Sequence, residues 1–181
     1  MILAKEKRLS VRVRLLATMV AVAAAVLLPQ FCHLLGRAAG VGSALGEMLL
    51  PMHLPILLVG LLAGPLVGGV AGAVAPLLSF ALTGMPALAL LPFMVMELFA
   101  YGLVSGLMAR VKMPTVCRVI VAQIAGRALR AVALLVAVFG FSYTAVPVAI
   151  IWNSLKVGLL GMLLQLVLIP LVLYRVERDE H

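Results

Sequence analysis

Acidic residues are scarce in this sequence, and charged residues of either sign are rare. The 181 residues include six Asp and Glu and fourteen Lys and Arg, so 11% are charged whereas 65% are hydrophobic. Soluble domains carry roughly a quarter charged residues. The interval from Met48 to Met96 contains no Asp, Glu, Lys or Arg, and a helix needs about 20 apolar residues to cross a bilayer. The composition excludes a water-soluble domain and predicts an all-α integral membrane protein.

Cysteines and recognisable catalytic sequences are equally sparse. Cys32 and Cys117 fall near opposite faces of the membrane in the helices predicted below, so no disulfide is expected between them. The chain has no Walker sequence, no Gly-x-Ser-x-Gly elbow and no His-Glu-x-x-His, which argues against ATP hydrolysis and against common hydrolase sites. An intramembrane enzyme stays open as an alternative, because Ser105 or Ser154 could meet a histidine that is distant in sequence.

Proline, glycine and charge divide the chain into six predicted transmembrane helices within a single membrane domain. Pro29 is expected to end the first helix, and Gly64-Pro65 to separate the second from the third. Turn formers at Leu82 to Pro86 follow the third helix. The predicted helices cover about 11–28, 48–63, 66–79, 91–109, 117–139 and 147–174, with tails at 1–10 and 175–181 and longer loops at 30–47, 80–90 and 140–146.

Basic residues are distributed unequally between the two sides of this predicted bundle. Lys and Arg normally concentrate on the cytoplasmic side. Arg37 alone lies on the side of the three longer loops, whereas the termini and the 110–118 turn hold Lys5, Lys7, Arg8, Arg12, Arg14, Arg110, Lys112, Arg118, Arg175 and Arg178. Both termini are therefore predicted to be cytoplasmic, with the three loops facing outward. Residues 1–28 are similar to a signal peptide, but five further spans favour a retained helix.

Small residues recur every four positions in two places. This spacing lets helix backbones approach closely in lipid, and it occurs at Gly60, Gly64, Gly68 and Gly72 and again at Ala17, Ala21 and Ala25. The glycines predict tight packing within the bundle. The alanine ladder offers a smooth groove to a partner helix, and internal packing would produce the same pattern.

Apart from the basic residues near the helix ends, four charged side chains lie inside predicted helices, namely Glu97, Arg127, Arg130 and Lys156. Such a group at the centre of a membrane helix costs about 2.5–3.5 kcal/mol even on lenient scales, so it must face the bundle, a partner or a water-filled cavity. Gln123 shares a helical stripe with the two arginines, and Asn153 shares one with Lys156. The depths of these residues predict that the two polar stripes meet in the outer half of the bundle.

The predicted cluster has three cations and one carboxylate, a balance of +2, which favours an anionic small molecule as its ligand. A neutral or corrinoid ligand stays open, because Glu97 and Tyr101 could pair with the arginines and leave an apolar cavity. Its expected substrate-binding residues are His53, Glu97, Tyr101, Gln123, Arg127, Arg130, Asn153 and Lys156. A buried network of Glu97 and the arginines without a ligand is the structural alternative. No metal or other cofactor is expected, because lone histidines such as His33 and His53 are seldom metal ligands. The basic residues form no aromatic-interleaved patch, which argues against a nucleic-acid partner.

The sequence resembles the substrate-binding S components of energy-coupling factor (ECF) vitamin importers over nearly its whole length. The stretches that carry the resemblance are Met52-His53-Leu54-Pro55 through Gly60, Gly64-Pro65, Gly68, Gly72, Pro76 to Ser79, Leu82 to Pro86, Glu97-Leu98 and Tyr101-Gly102. The resemblance implies six helices with both ends cytoplasmic in the bacterial inner membrane. It also implies a ligand site made by the first and third outward loops with the outer halves of helices four to six.

The same resemblance implies a transport cycle. The protein would bind a vitamin-like molecule from outside and topple as it docks on a membrane coupling subunit through Ala17, Ala21 and Ala25, and two cytoplasmic ATPases would drive release inward. We expect the loop at 80–90 to gate the site through Thr83, Gly84, Met85 and Pro86, because Gly84 is flexible and Pro86 rigid. A self-sufficient carrier or channel is the other alternative, although two similar halves are not evident.

Overall fold

The computed structural model describes residues 10–42 and 44–179, and this part of the chain is helical apart from short connections. Six of its stretches are long and apolar enough to cross a membrane; α2 and α3 together form the second, and α6 with a π-helical turn forms the fifth. The predicted fold class, an all-α six-helix membrane bundle, is confirmed. The elements are α1 (Val11–Ala38), α2 (Ala44–Leu49), α3 (His53–Ala63), α4 (Pro65–Thr83), α5 (Leu91–Met108), α6 (Thr115–Leu135), the π-helical turn (Val136–Gly140) and α7 (Ile150–Asp179).

The sidedness of the bundle stays a prediction. Most of the predicted N-terminal tail, including three of the basic residues counted there, lies outside the described residues. The cytoplasmic side of the bundle is therefore assigned from the sequence alone.

The first helix is longer than predicted. Pro29 lies inside α1 and is buried, so the prediction that this helix ends at residue 28 is wrong, and much of the predicted 30–47 loop is helical. A proline removes one backbone hydrogen bond, which transmembrane helices tolerate when neighbouring helices surround them. α1 ends instead near Gly40, whose φ of 74° is left-handed. The N–H groups of Gly40 and Val41 donate to carbonyls in the last turn at 3.1 and 2.9 Å, a Schellman closure.

The second span is broken, which corrects the continuous helix predicted at 48–63. Leu50 lies between α2 and α3 with a φ of 49°. Non-helical backbone at membrane depth is tolerated where it is buried in protein and its polar groups find partners. Here Nε2 of Gln165 on α7 donates to the Leu50 carbonyl at 3.3 Å. The break places His53 at the start of α3.

Gly64 and Pro65 separate α3 from α4, as predicted. Gly64 has a φ of 93°, and Pro65 occupies the first turn of α4, where its missing N–H costs nothing. α4 continues to Thr83, past the predicted end at residue 79, so the predicted 80–90 loop is confined to 84–90.

The central helix of the bundle is α5, which packs against α3, α4 and α6. The predicted role of the glycines in packing is confirmed at its contact with α4. A Cβ atom added to Gly68 or to Gly102 would overlap the backbone of the other residue. The two backbones touch directly, which is possible because neither residue carries a side chain.

The alanine ladder of α1 faces the interior of the bundle. Ala21 and Ala25 are buried and Ala17 packs against the same core, on the side where α1 contacts α3 and α4. Internal packing, the alternative left open for this pattern, is therefore what the structure shows, and the partner-binding role of the ladder stays a prediction.

A second apolar cluster closes the end of the bundle that carries the connections 84–90 and 141–149. The Tyr143 hydroxyl donates to the Ala89 carbonyl at 3.2 Å, and its ring lies against Phe93 with centroids 6.0 Å apart. The two connections are thereby fastened to each other.

Candidate functional site

Glu97 is the centre of a buried polar cluster that joins three helices. Its side chain is 0% exposed. Arg130 Nη1 donates to Glu97 Oε2 at 2.9 Å, and Arg127 Nε lies 3.2 Å from Oε1. The Tyr101 hydroxyl donates to Oε1 at 3.3 Å, and His53 Nε2 lies 3.7 Å from the same oxygen. One carboxylate therefore organises two cations, a phenol and an imidazole from α3, α5 and α6.

Helical spacing and one glycine explain why these side chains meet. Glu97 and Tyr101 lie four residues apart on α5, and the arginines lie three apart on α6, so each pair shares a helix face. A Cβ atom on Gly126 would lie 2.5 Å from two Tyr101 ring atoms. The glycine therefore makes room for this ring between α5 and α6, and the ring meets His53 edge-on with centroids 5.1 Å apart.

A chain of amide hydrogen bonds connects Gln123, one helical turn before Arg127 on α6, to the break in the second span. Gln123 Nε2 donates to Gln165 Oε1 at 3.0 Å and to the Met162 carbonyl at 3.3 Å. Gln165 in turn donates to the Leu50 carbonyl, and both amide side chains are buried. Gln165 is not among the site residues predicted from the sequence. It could have been found as the one amide or charged residue between Val157 and Leu173.

The two arginines line a groove of about 450 Å³ between α6 and α7. Seven of its lining residues are apolar and four are polar, and all come from these two helices: Ile120, Gln123, Ile124, Arg127, Ala128, Arg130, Ala131, Ile151, Ser154, Leu155 and Met162. Ile124 is 63% exposed, so the groove is open to the surroundings of the bundle between α6 and α7. The volume falls within the range of small-molecule sites.

Arg127 has hydrogen-bonding capacity that the described residues do not use. Its Nη1 reaches Ser154 Oγ at a long 3.5 Å. Its Nη2 is buried and has no hydrogen-bond partner in the described part of the chain, although most buried polar groups are satisfied. Because Glu97 offsets only one of the two arginines, the cluster retains one positive charge.

Asn153 and Lys156 do not join this cluster, which corrects the prediction that the two polar stripes meet. Both side chains are exposed. Lys156 lines a separate cavity of about 530 Å³ between α2 and α7, which Glu47 also lines. The predicted balance of +2 therefore falls to +1.

The rotation of α7 explains this difference. A Cβ atom on Gly161 would come within 2.5 Å of the Leu49 carbonyl group, and one on Gly158 within 2.9 Å of Leu50. Because these glycines have no side chain, the face of α7 that carries them can pack directly against the break between α2 and α3. Successive residues differ by about 100° around a helix, so Ser154 points to α6 and Lys156 does not.

The predicted gating segment lies at the end of α4 and in the exposed connection after it. Thr83 is the last residue of α4, and Gly84 closes the helix with a φ of 71°. Met85 N–H donates to the Thr83 hydroxyl at 3.3 Å. None of Thr83, Gly84, Met85 and Pro86 lines the groove between α6 and α7.

The two serines considered for catalysis donate to carbonyls of their own helices. Ser105 Oγ lies 3.1 Å from the Gly102 carbonyl, and Ser154 Oγ lies 3.0 Å from the Ile151 carbonyl. Within residues 10–42 and 44–179, no group of three or more His, Cys, Asp or Glu residues is arranged to hold a metal ion.

The comparison with known families gives a match over most of the chain. The family described as "ECF transporter, substrate-specific component" matches residues 10–173, which is most of the chain. This is a family of transporter binding subunits and not of enzymes. No curated protein and no solved structure matches the chain.

Proposed function

Because this chain belongs to the substrate-specific components of ECF transporters, we propose that it captures a vitamin or vitamin-like small molecule from outside the cell. Its proposed partners are a membrane coupling subunit and two cytoplasmic ATPases, which deliver the molecule inward. Its proposed location is the bacterial inner membrane, as a multi-pass protein.

The observation that carries the binding role is the pair of arginines beside the groove between α6 and α7. A cation inside a membrane span is costly and normally marks a functional site. Arg127 and Arg130 are held in place by Glu97, yet both line the groove. A network built only for stability would need no cavity of ligand size beside its cations.

The residues of the proposed site fall into two groups. Arg127, Arg130, Gln123 and Ser154 line the groove and are proposed to contact the ligand. The carboxylate, phenol and imidazole behind them are proposed to position the arginines. Asn153 and Lys156 are outside the proposed site, because their side chains do not reach the groove.

Docking on the coupling subunit through the alanine ladder would require a movement of α1. Ala21 and Ala25 are covered by the chain itself. We propose either that α1 separates from α3 and α4 during docking, or that another face of the protein forms this contact. A cysteine at Ala21 that forms a cross-link to the coupling subunit only in the assembled transporter would support the first route.

The connection 84–90 is the proposed gate. Gly84 adopts a left-handed conformation, which proline cannot adopt. We expect Gly84→Pro to change the rates at which ligand binds and leaves, as measured by stopped-flow or surface-based binding. Unchanged rates in a folded Gly84→Pro variant would contradict gating by this connection.

The binding role is tested by asking what the purified protein retains. The wild type is purified in detergent without added ligand, denatured, and its small molecules are identified by mass spectrometry. We expect a stoichiometric small molecule in the wild type and at least tenfold less in Arg127→Gln. Arg118→Gln, on the same helix but outside the groove, is the matched control and should retain the molecule. A folded wild type without a bound molecule, or equal retention by Arg127→Gln, would contradict the proposal.

The alternative of a self-sufficient carrier predicts a different result in proteoliposomes. A carrier would accumulate or exchange the retained molecule without any ATPase. We expect uptake only when the coupling subunit, both ATPases and ATP are present.

A further inference from the structure

The groove between α6 and α7 has a composition that restricts the chemistry of its ligand. We infer that the ligand is a molecule with a single acidic group on an aliphatic body, bound with its acid beside the Arg127 and Arg130 guanidinium groups. This inference rests on the proposed function and narrows it to a chemical class.

The charge of the site limits the ligand to one acid. Two arginines and one carboxylate leave one positive charge at the groove. Lys156, which is predicted from the sequence to join the same cluster, lies in another cavity. A second carboxylate or a doubly charged phosphate would therefore enter an apolar environment without a cation, which is costly.

A neutral ligand is disfavoured because it would leave the remaining positive charge of the site without a counter-charge. Arg127 has a buried Nη2 without a hydrogen-bond partner among the described residues, and its side chain is 10% exposed. A planar guanidinium matches the two oxygens of a carboxylate. A neutral hydroxyl offers no compensating charge.

The walls of the groove limit the rest of the ligand. Among the described residues, the polar lining beyond the two arginines consists of Gln123 and Ser154, and no aromatic side chain contributes. A ligand rich in hydroxyl groups would lose hydrogen bonds to water that these two side chains cannot replace, and a flat ring system would find no aromatic side chain to pack against. Ile120 and Ile124 at the open edge are 38% and 63% exposed, so an aliphatic body there would adjoin the surrounding acyl chains.

Four probes with the same eight-carbon chain separate these possibilities. The probes are octanoate with one acid, 1-octanol with none, octanedioate with two, and octyl phosphate with a doubly charged head. Each is titrated at pH 7.5 into the full-length protein in phosphatidylcholine nanodiscs by calorimetry, and the heat from empty nanodiscs is subtracted to remove partitioning into lipid.

We expect octanoate to bind at least tenfold more tightly than each of the other three probes. Arg127→Gln should lower the preference for octanoate over 1-octanol at least tenfold, Arg127→Lys should keep part of it, and Arg118→Gln should leave it unchanged. The comparison among probes in the wild type remains decisive if Arg127→Gln fails to fold.

Several results would overturn the inference. Equal or tighter binding of octanedioate or octyl phosphate would indicate a doubly charged ligand, and equal binding of 1-octanol would indicate a neutral one. Absence of octanoate binding would also overturn it. The proposed function survives these results if the purified protein still retains a small molecule that Arg127→Gln releases, and it fails together with the inference if no such molecule is found.

Discussion

Replacing Glu97 with glutamine should destabilise the protein strongly, because the substitution removes a buried charge and leaves the shape of the side chain nearly unchanged. Glu97 is 0% exposed and pairs with Arg130 at 2.9 Å and with Arg127 at 3.2 Å. Removing one partner of a buried ion pair costs about 3–5 kcal/mol, since the remaining charge is left uncompensated. The two pairs share one carboxylate, so their contributions are not independent and we do not double this value.

The expected loss of about 3–5 kcal/mol corresponds to a decrease of roughly a hundredfold to a few thousandfold in the folding equilibrium constant. It can be measured by titrating the protein with SDS in mixed micelles and following the fluorescence of Trp152, the only tryptophan of the chain. Glu47→Gln is a matched control, because Glu47 is exposed and an exposed acid contributes about 1 kcal/mol or less.

A double-mutant cycle tests the assigned cause. If the Arg130 charge destabilises the protein once Glu97 has lost its own charge, then Arg130→Met should lower the free energy of unfolding less in the Glu97→Gln background than in the wild type. The two losses should differ by at least about 1 kcal/mol. A loss below about 1 kcal/mol for Glu97→Gln, or additive effects of the two substitutions, would refute the view that this carboxylate compensates the arginines.

Three further outcomes follow from the packing and the site. Gly102→Val should destabilise the bundle by more than about 2 kcal/mol in the same SDS titration, because a side chain there overlaps the backbone of α4,; an unchanged midpoint would show that the two helices can separate freely. Gln165→Leu should cost about 1–3 kcal/mol, because it leaves the Leu50 carbonyl and the Gln123 amide short of a partner,; a neutral result would mean that other groups satisfy them. Arg127→Ala should weaken binding of the retained small molecule more than tenfold, whereas Lys156→Ala should change it less than threefold, as measured by competition calorimetry; the reverse order would restore the sequence-based site.

Predictions from the sequence succeeded where a requirement acts on each segment separately. A bilayer demands about 20 apolar residues per helix, and that demand is visible in the charge-free run from Met48 to Met96 without any knowledge of neighbours. The turn at Gly64-Pro65 is also local, since it depends on a positive φ and on a missing N–H,. Glu97, Arg127 and Arg130 are in contact, as expected from the cost of exposing each of them to lipid.

Predictions failed where the outcome depended on a neighbouring helix. Pro29 was expected to end the first helix, but it is buried in the bundle and α1 continues through it. The alanine ladder was compatible with an external or an internal partner, and its burial in the core could not be read from spacing. The amide of Gln165 was overlooked because its role depends on a carbonyl 115 positions away along the chain.

The amino-acid sequence by itself determines how many helices span the membrane and that some of them carry charged residues. Each span must separately avoid exposing backbone polar groups and charges to lipid, so these features can be read one segment at a time. Which charged and polar residues meet in one cluster is decided by how the helices pack. Periodicity places Asn153 and Lys156 on one stripe of α7, but the rotation of that stripe is set by the contact of Gly158 and Gly161 with the break in the second span. Ser154 therefore lines the groove beside Arg127, and Lys156 lies outside it.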